Sequence, residues 1–540
     1  MCVWACVLIG VVAVPIVHGY QVAPEGWSFS GFIGAFHNDY NGYLAWTRQA
    51  EEGQLLFRNL FSAEPHGRVF AHPLFWLMGT AAATSGASIM TVWHLTQAVG
   101  CLLMVYSIYR LASMFTDSVA TRMLSLVLAT TASGFGWWVD VPRNSAWLEK
   151  PIDLWMAQAN QAQALLTSFF TLPIALAFLL LALVRGLEYL RHGRRRDAVL
   201  SGLFALALAA THQYNMATLY VVLAVWMAMT GWHRFRGLLV IAALSLPYCL
   251  YSVGVISFDP VFSKVTWAMP SATPWAIAVG WGLPLLLAMG ALALPAVWRE
   301  NRDVRLLLAW LLSGLVLMYV PIGFERKLIW GLHVVLCLLA SMGWIGTLRT
   351  ALRALAPAKR AAVMGLLSVA LVGFSSIGTI ELYRLQFERN RSHVFGDYLP
   401  DAYLEAMRWL DDNSEHAEVV IASPAIAPYL PGESGVTVFW GHWAQTLDRG
   451  AKERFLRRLF QPAGSKSDDI ARVLQRDRGR FIVLDARSLR DWKIRRPPAK
   501  FAFDSLAAPV FRNPAVTIWR VHSPDPAKGG SGQGGLSGGT

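Results

Sequence analysis

The chain has 540 residues, 55% of them hydrophobic and 15% charged, with a net charge of +13. A soluble domain carries about 25% charged residues, so this composition excludes an ordinary water-soluble protein and points to lipid as the solvent. The positive charge does not call for a nucleic-acid partner. Many of the basic residues fall in short connections between apolar runs, where the positive-inside rule puts them.

In chain order the apolar runs predict about eleven transmembrane helices. They lie near residues 1–19, 89–111, 117–137, 164–184, 198–211, 214–231, 237–257, 274–297, 304–321, 328–347 and 361–382. Most approach the roughly 20 residues that a helix needs to cross a bilayer. The first run has no basic segment before it and no small-residue cleavage site, so it reads as a retained helix rather than a signal peptide. With the N-terminus inside, sixteen basic residues fall in the inner connections and five in the short outer ones. That asymmetry orients the chain and places everything after the eleventh helix outside the cytoplasm. The five cysteines, Cys2, Cys6, Cys101, Cys249 and Cys337, lie in or beside apolar runs. The outer domain has none, so neither a disulfide framework nor a zinc site is available there.

The predicted domains are a membrane domain over 1–382, an extracytoplasmic domain over 383–525, and a Gly/Ser-rich tail over 526–540. The first outer loop, 20–88, is long and patterned. Residues 40–53 and 70–79 read as amphipathic helices at the headgroup level, where Trp and Tyr are favoured. Residues 134–164 form a second outer loop. Beyond residue 400 the pattern alternates: helix 401–413, strand 419–422, strand 436–440, helix 443–460, helix 468–475, strand 481–484 and strand 516–521. The fold class is therefore an α-helical polytopic membrane protein with a small C-terminal α/β domain.

Asp39 follows the first span closely and is placed to act as N-cap of a helix starting at Tyr40, since Asp is a favoured cap. Arg326 and Lys327 form a basic pair at the predicted outer surface, against the charge rule, with Glu325 beside them. Membrane anchoring and a functional role both remain open for that pair. Asp140, Arg143, Glu149, Lys150 and Asp153 are the charges of the second outer loop. His212 and Tyr214 occupy the tight outer turn between the fifth and sixth spans, and His442 sits in a Gly-His-Trp turn of the outer domain.

The string Asp39-Tyr40-Asn41-Gly42-Tyr43-Leu44-Ala45-Trp46-Thr47-Arg48-Gln49-Ala50, with Asn59-Leu60-Phe61, Glu64-Pro65, His72-Pro73-Leu74-Phe75 and Gly79, resembles the first outer loop of bacterial GT-C glycosyltransferases, family 39-like members among them. Arg326-Lys327-Leu328 with Gly331-Leu332, and Gly441-His442-Trp443 with Thr446, extend the likeness. Asp39 stands single where several GT-C families pair two acids. The resemblance implies a glycosyltransferase that moves a sugar from a polyprenyl-phosphate donor to a lipid, glycan or protein acceptor outside the cytoplasm, with no nucleic acid involved. It implies Asp39 as the base, and Arg326, Lys327 and Arg143 as holders of the donor phosphate. It further implies His72, His212, Tyr214 and His442 as substrate contacts, and Asp39 with Asp140 and Asp153 as the ligand set if Mg²⁺ or Mn²⁺ takes part. Such chemistry needs a base for the acceptor and positive charge for the leaving phosphate. The rivals are a transporter or flippase for lipid-linked sugar and a non-catalytic assembly protein. A transporter would show paired broken helices and intramembrane charges, which are scarce here.

Overall fold

The computed structural model describes residues 1–34, 36–139, 171–265, 270–415, 418–460, 467–494 and 501–522. Asp140, Arg143, Asp153 and the tail 526–540 lie outside the described residues. The chain divides into two compact units. The first comprises 1–40, 46–58 and 68–399; the second comprises 41–45, 59–67 and 400–540.

The first unit is helical. Among the described residues, seven helices are long and apolar enough to cross a membrane: Cys2–Gln21, Ile89–Phe115, Thr171–His192, Trp232–Phe258, Pro274–Leu292, Glu325–Ala351 and Pro357–Ser375. Val119–Thr131, Asn215–Thr230 and Val304–Leu317 are apolar but shorter, and Arg195–His212 joins them as a further helix. The protein is a multi-pass membrane protein. Two expected spans are broken differently from the sequence reading. Residues 117–137 give a helix of only 13 residues, Val119–Thr131. Residues 274–297 divide into Pro274–Leu292 and Pro295–Glu300, and the first of these is kinked at Gly282. A kink there follows from Gly282 at φ 52° and ψ −132°, with Pro284 two residues on.

The helices also differ in what covers them. Leu332–Ala351 is enclosed almost along its whole length by its neighbours, whereas few side chains of Phe235–Phe258 and Pro357–Ser375 are buried by the protein. A helix apolar on all sides can take either environment. The enclosed one gives a rigid base to the residues just before it, Arg326 and Lys327. Ion pairs tie the connections that hold the basic excess: Arg191 to Asp303 at 2.8 Å and Arg185 to Asp197 at 3.2 Å.

The first loop folds into two helices, His37–Glu51 and Pro73–Ser85. The first starts three residues earlier than expected, with Phe36 as N-cap, so Asp39 lies in the first turn and is not the cap. Gly79 lets the two helices meet. A Cβ on Gly79 would fall inside the Thr47 carbonyl oxygen, the Ala50 Cβ and the Glu51 nitrogen. Gly79→Ala is accordingly expected to destabilise the protein by about 1–3 kcal/mol, the usual cost of overpacking. Thermal melting in detergent checks this; an unchanged midpoint would mean that the helices separate freely.

The first unit also contains a two-stranded sheet of β1 (Trp27–Phe29) and β2 (Tyr398–Pro400), which the sequence reading missed. The second unit holds a five-stranded sheet of β3 (Val419–Ala422), β4 (Thr437–Val438), β5 (Gly479–Asp485), β6 (Ala507–Arg512) and β7 (Val516–Val521). The order is β4-β3-β5-β7-β6, with β3 parallel to β4 and β5, and β7 antiparallel to β5 and β6. Among the described residues its helices are Asp401–Asn413, Arg449–Leu459, Ser467–Arg476 and the short Leu430–Ser434 and Ala486–Asp491. The helix expected over 443–460 begins only at Arg449, because residues 441–446 form a hydrogen-bonded turn. Asp485, fully buried at the end of β5, accepts hydrogen bonds from the Tyr403, Ser423 and Ser488 hydroxyls and caps Ala486–Asp491 through the Ser488 N–H.

The segment 59–67 is part of this second unit. Its Glu64 carboxylate lies 2.7 Å from the Lys452 ammonium, which is 4% exposed and sits over the Phe439 ring. Burial alone would raise the Glu64 carboxyl, but Lys452 and the Ser62 hydroxyl outweigh it and hold the group below the usual carboxylate range. A carboxyl lowered on folding stabilises the fold fully above its unfolded value and loses that contribution as the pH falls through the folded one. Lys452→Ala is expected to cost roughly 2–3 kcal/mol, at the low end for a broken buried pair because Glu64 is partly exposed. The variant should also lose less stability than wild type when melting is followed from pH 7 to below about 4. Parallel pH profiles would show that the pair contributes nothing.

Candidate functional site

The site is assembled at one place in the first unit, from two stretches of the first loop and two later turns. Asp39 lies in the first turn of His37–Glu51. Its carboxylate lies within electrostatic reach of the Lys327 ammonium, and Lys327 has Arg326 as its basic neighbour. Both basic residues are on the short helix Glu325–Ile329, leading through Trp330 and Gly331 into the enclosed helix Leu332–Ala351. Gly331, at φ 84°, makes the reversal between the two, where a side chain would run into Trp310.

Two histidines flank this pair. His212 lies within electrostatic range of both Lys327 and His72. The His212 ring stacks on Trp330, with centroids 4.9 Å apart and an interplanar angle of 14°. Tyr214 meets His212 edge-on at 5.2 Å and leans on Phe324. His72 is packed against Phe75 at 4.2 Å and stacked parallel to Trp46. The loop before His72 is fixed by the Tyr248 hydroxyl, which donates to the Ala71 carbonyl at 2.8 Å, and by Tyr251, which donates to Val69. Burial pushes the His72 imidazole down to about 3, so it is neutral at physiological pH. The Nδ1 atoms of His72 and His212 are both buried without a hydrogen-bond partner. Buried polar atoms of that kind cost free energy unless something pairs with them.

Of the residues singled out in the sequence, Asp39, Lys327, Arg326, His72, His212 and Tyr214 thus lie in one region of the first unit. His442 belongs to the second unit. There its Nδ1 accepts from the Ala444 and Gln445 N–H groups, each at 3.0 Å, which leaves Nε2 to carry the proton of the neutral ring. Phe61 packs on this ring at 5.1 Å, and Asn59 donates to the Gln445 carbonyl at 2.8 Å. Arg143, Asp140 and Asp153 fall outside the described residues. Among the described residues no group of three or more His, Cys, Asp or Glu is arranged to hold a metal ion. Of the expected set Asp39, Asp140 and Asp153, only Asp39 lies among the described residues. The sequence reading missed the aromatic partners Trp46, Phe324 and Trp330. Their signal was only the general enrichment of aromatic residues in outer segments.

No family model matches the chain, and no curated protein does. Solved structures do. The arabinofuranosyltransferase AftD from Mycobacteria is 15% identical and matches with a TM-score of 0.59, covering 97% of this chain and 40% of that one. ArnT from Cupriavidus metallidurans, bound to undecaprenyl phosphate, is 12% identical over 96% of this chain and 98% of that one, with a TM-score of 0.48. The oligosaccharyltransferase AglB from Archaeoglobus fulgidus, in complex with an inhibitory peptide and a dolichol-phosphate, is 11% identical over 88% and 69%, with a TM-score of 0.46. These neighbours are GT-C membrane glycosyltransferases. The likeness to AftD shows a fold that this chain shares with it, and this chain spans 40% of the length of AftD.

Proposed function

We propose that the chain is a membrane glycosyltransferase that takes a sugar from a polyprenyl-phosphate donor and gives it to an acceptor outside the cytoplasm. The observation that supports this reading is that Asp39 and Lys327, 288 positions apart in sequence, come within electrostatic range of each other. That pairing supplies the two things the reaction needs. Asp39 takes the proton from the acceptor hydroxyl, and the acceptor oxygen bonds to the anomeric carbon. The bond from that carbon to the phosphate oxygen breaks, and its electron pair leaves with the phosphate. Lys327 and Arg326 stabilise the charge that develops there. His72, His212 and Tyr214 bound the site, and their aromatic partners offer faces for a sugar ring. His442 is proposed as an acceptor contact in the second unit.

On this reading the N-terminus is inside and residues 383–540 are outside, in the inner membrane of the cell. A pentose and a hexose donor are both to be tried. The test is release of undecaprenyl phosphate by purified protein from its pentosyl and hexosyl esters, with a membrane lipid extract as acceptor source. Release well above that of an Asp39→Asn control supports the reading. Equal release from both proteins overturns it.

A further inference from the structure

Asp39 is the reacting group in the proposal above, yet the helix that bears it has no side-chain cap at its start. An uncapped N-terminus frays unless something else fixes it. Beside that start lies a buried carboxylate from the far end of the first unit. Asp397 has no exposed surface. Arg389 grips it with a two-pronged contact, Nε donating to Oδ2 at 2.8 Å and Nη2 to Oδ1 at 3.0 Å. The same Nη2 donates to the Gly34 carbonyl at 3.1 Å, and the Gly34 N–H donates back to Asp397 Oδ1 at 3.2 Å. The His37 Nε2 lies 2.9 Å from that oxygen as well. His37 is the first residue of the helix and Asp39 the third. The Asp397 carbonyl also accepts from the Ser30 N–H at 2.8 Å.

Two further details show that the arrangement is built closely. Gly396, at φ 103°, precedes Asp397, and a Cβ on it would lie 2.8 Å from the His37 ring. The imidazole therefore packs where only glycine leaves room. Tyr40, one turn along, is wholly buried, stacked on Phe32 and edge-on to Trp93 and His37. One turn of helix is thus held by the Asp397 contacts before it and the Tyr40 packing after it, and Asp39 lies between them.

We infer that Asp397, with Arg389, is a positioning residue for the proposed reaction, holding the first turn of His37–Glu51 and with it the place of the Asp39 carboxylate. This rests on the reading of Asp39 as the base. An aspartate joined by a forked guanidinium suits the task, because two parallel charge-assisted bonds fix orientation as well as distance. A base displaced by about 1 Å loses catalysis while phosphate binding, which belongs to Lys327 and Arg326, is spared.

The experiment compares wild type with Asp397→Asn, Arg389→Gln and the double variant, in nanodiscs. Undecaprenyl phosphate binding and release of undecaprenyl phosphate from its sugar esters are measured on each. The expected result is a turnover tenfold lower or worse in either single variant, with undecaprenyl phosphate affinity within twofold of wild type. The double variant should be no worse than the poorer single one, because both remove the same clamp. Should Asp397→Asn not yield folded protein, Gly396→Ala displaces His37 alone and must give the same split between turnover and affinity. Turnover within twofold of wild type in the folded variants overturns the inference, as does an affinity that falls in step with turnover. Asp39→Asn runs alongside: if it is inactive while the clamp variants are fully active, only the positioning role fails. A fully active Asp39→Asn removes the function reading itself, and the clamp with it.

Discussion

Replacing Asp39 with Asn is expected to lower sugar transfer by roughly 10²-fold or more, the scale of losing a general base, while the melting temperature stays close to wild type. Asn has nearly the same shape, so packing around the first turn is preserved. It cannot accept a proton at neutral pH, and it brings no charge to face Lys327. The capping explanation that the sequence allowed is removed by the structure, since Phe36 and not Asp39 is the N-cap. A charge at a helix N-terminus is worth about 0.3–1 kcal/mol. A purely structural Asp39 therefore predicts a small loss of stability and full activity. Turnover and melting measured on Asp39→Asn and Asp39→Ala separate the two outcomes, and a fully active Asn variant contradicts the proposed mechanism.

Replacing Lys327 with Gln should weaken binding of undecaprenyl phosphate by about 10- to 100-fold, as charge-assisted contacts to an anion contribute roughly 1.5–3 kcal/mol each. Gln keeps much of the length and can still donate a hydrogen bond, so the loss reports charge. The short helix bearing Lys327 is joined to the enclosed Leu332–Ala351 helix, which should keep the protein folded. Replacing Arg326 as well should deepen the defect. If the pair only anchors the protein at the membrane surface, the double variant will be less abundant in the membrane but will bind undecaprenyl phosphate normally. Titration with undecaprenyl phosphate in nanodiscs, corrected for folded protein, decides between them.

The membrane character and the helices of the first loop were legible because each rests on a local signal: apolar length or helical period. The starts of helices were read less well. Asp39 looked like a cap because Asp usually is one, and the true start at His37 depends on packing far along the chain. Trp443 looked like the first residue of a helix from the apolar spacing that follows it, but His442 and Thr446 take up the backbone N–H groups of residues 441, 442, 444 and 445 and close a turn instead. Strand β6 was missed because it lies at the sheet edge, is mostly exposed, and contains Pro509, so neither alternation nor β-propensity marks it. The Asp397 clamp joins groups 363 positions apart, and nothing local in either segment announces it. Lys452 reads as one more surface base until Glu64 and Phe439 are seen around it.

The most direct test of the central claim is a structure of the protein in nanodiscs with undecaprenyl phosphate bound. The account predicts phosphate density within hydrogen-bond reach of Lys327, in the same cavity as the Asp39 carboxylate, bounded by His72 and His212. Phosphate density elsewhere in the first unit, with Lys327 turned to the membrane surface and Asp39 in a separate space, would contradict it.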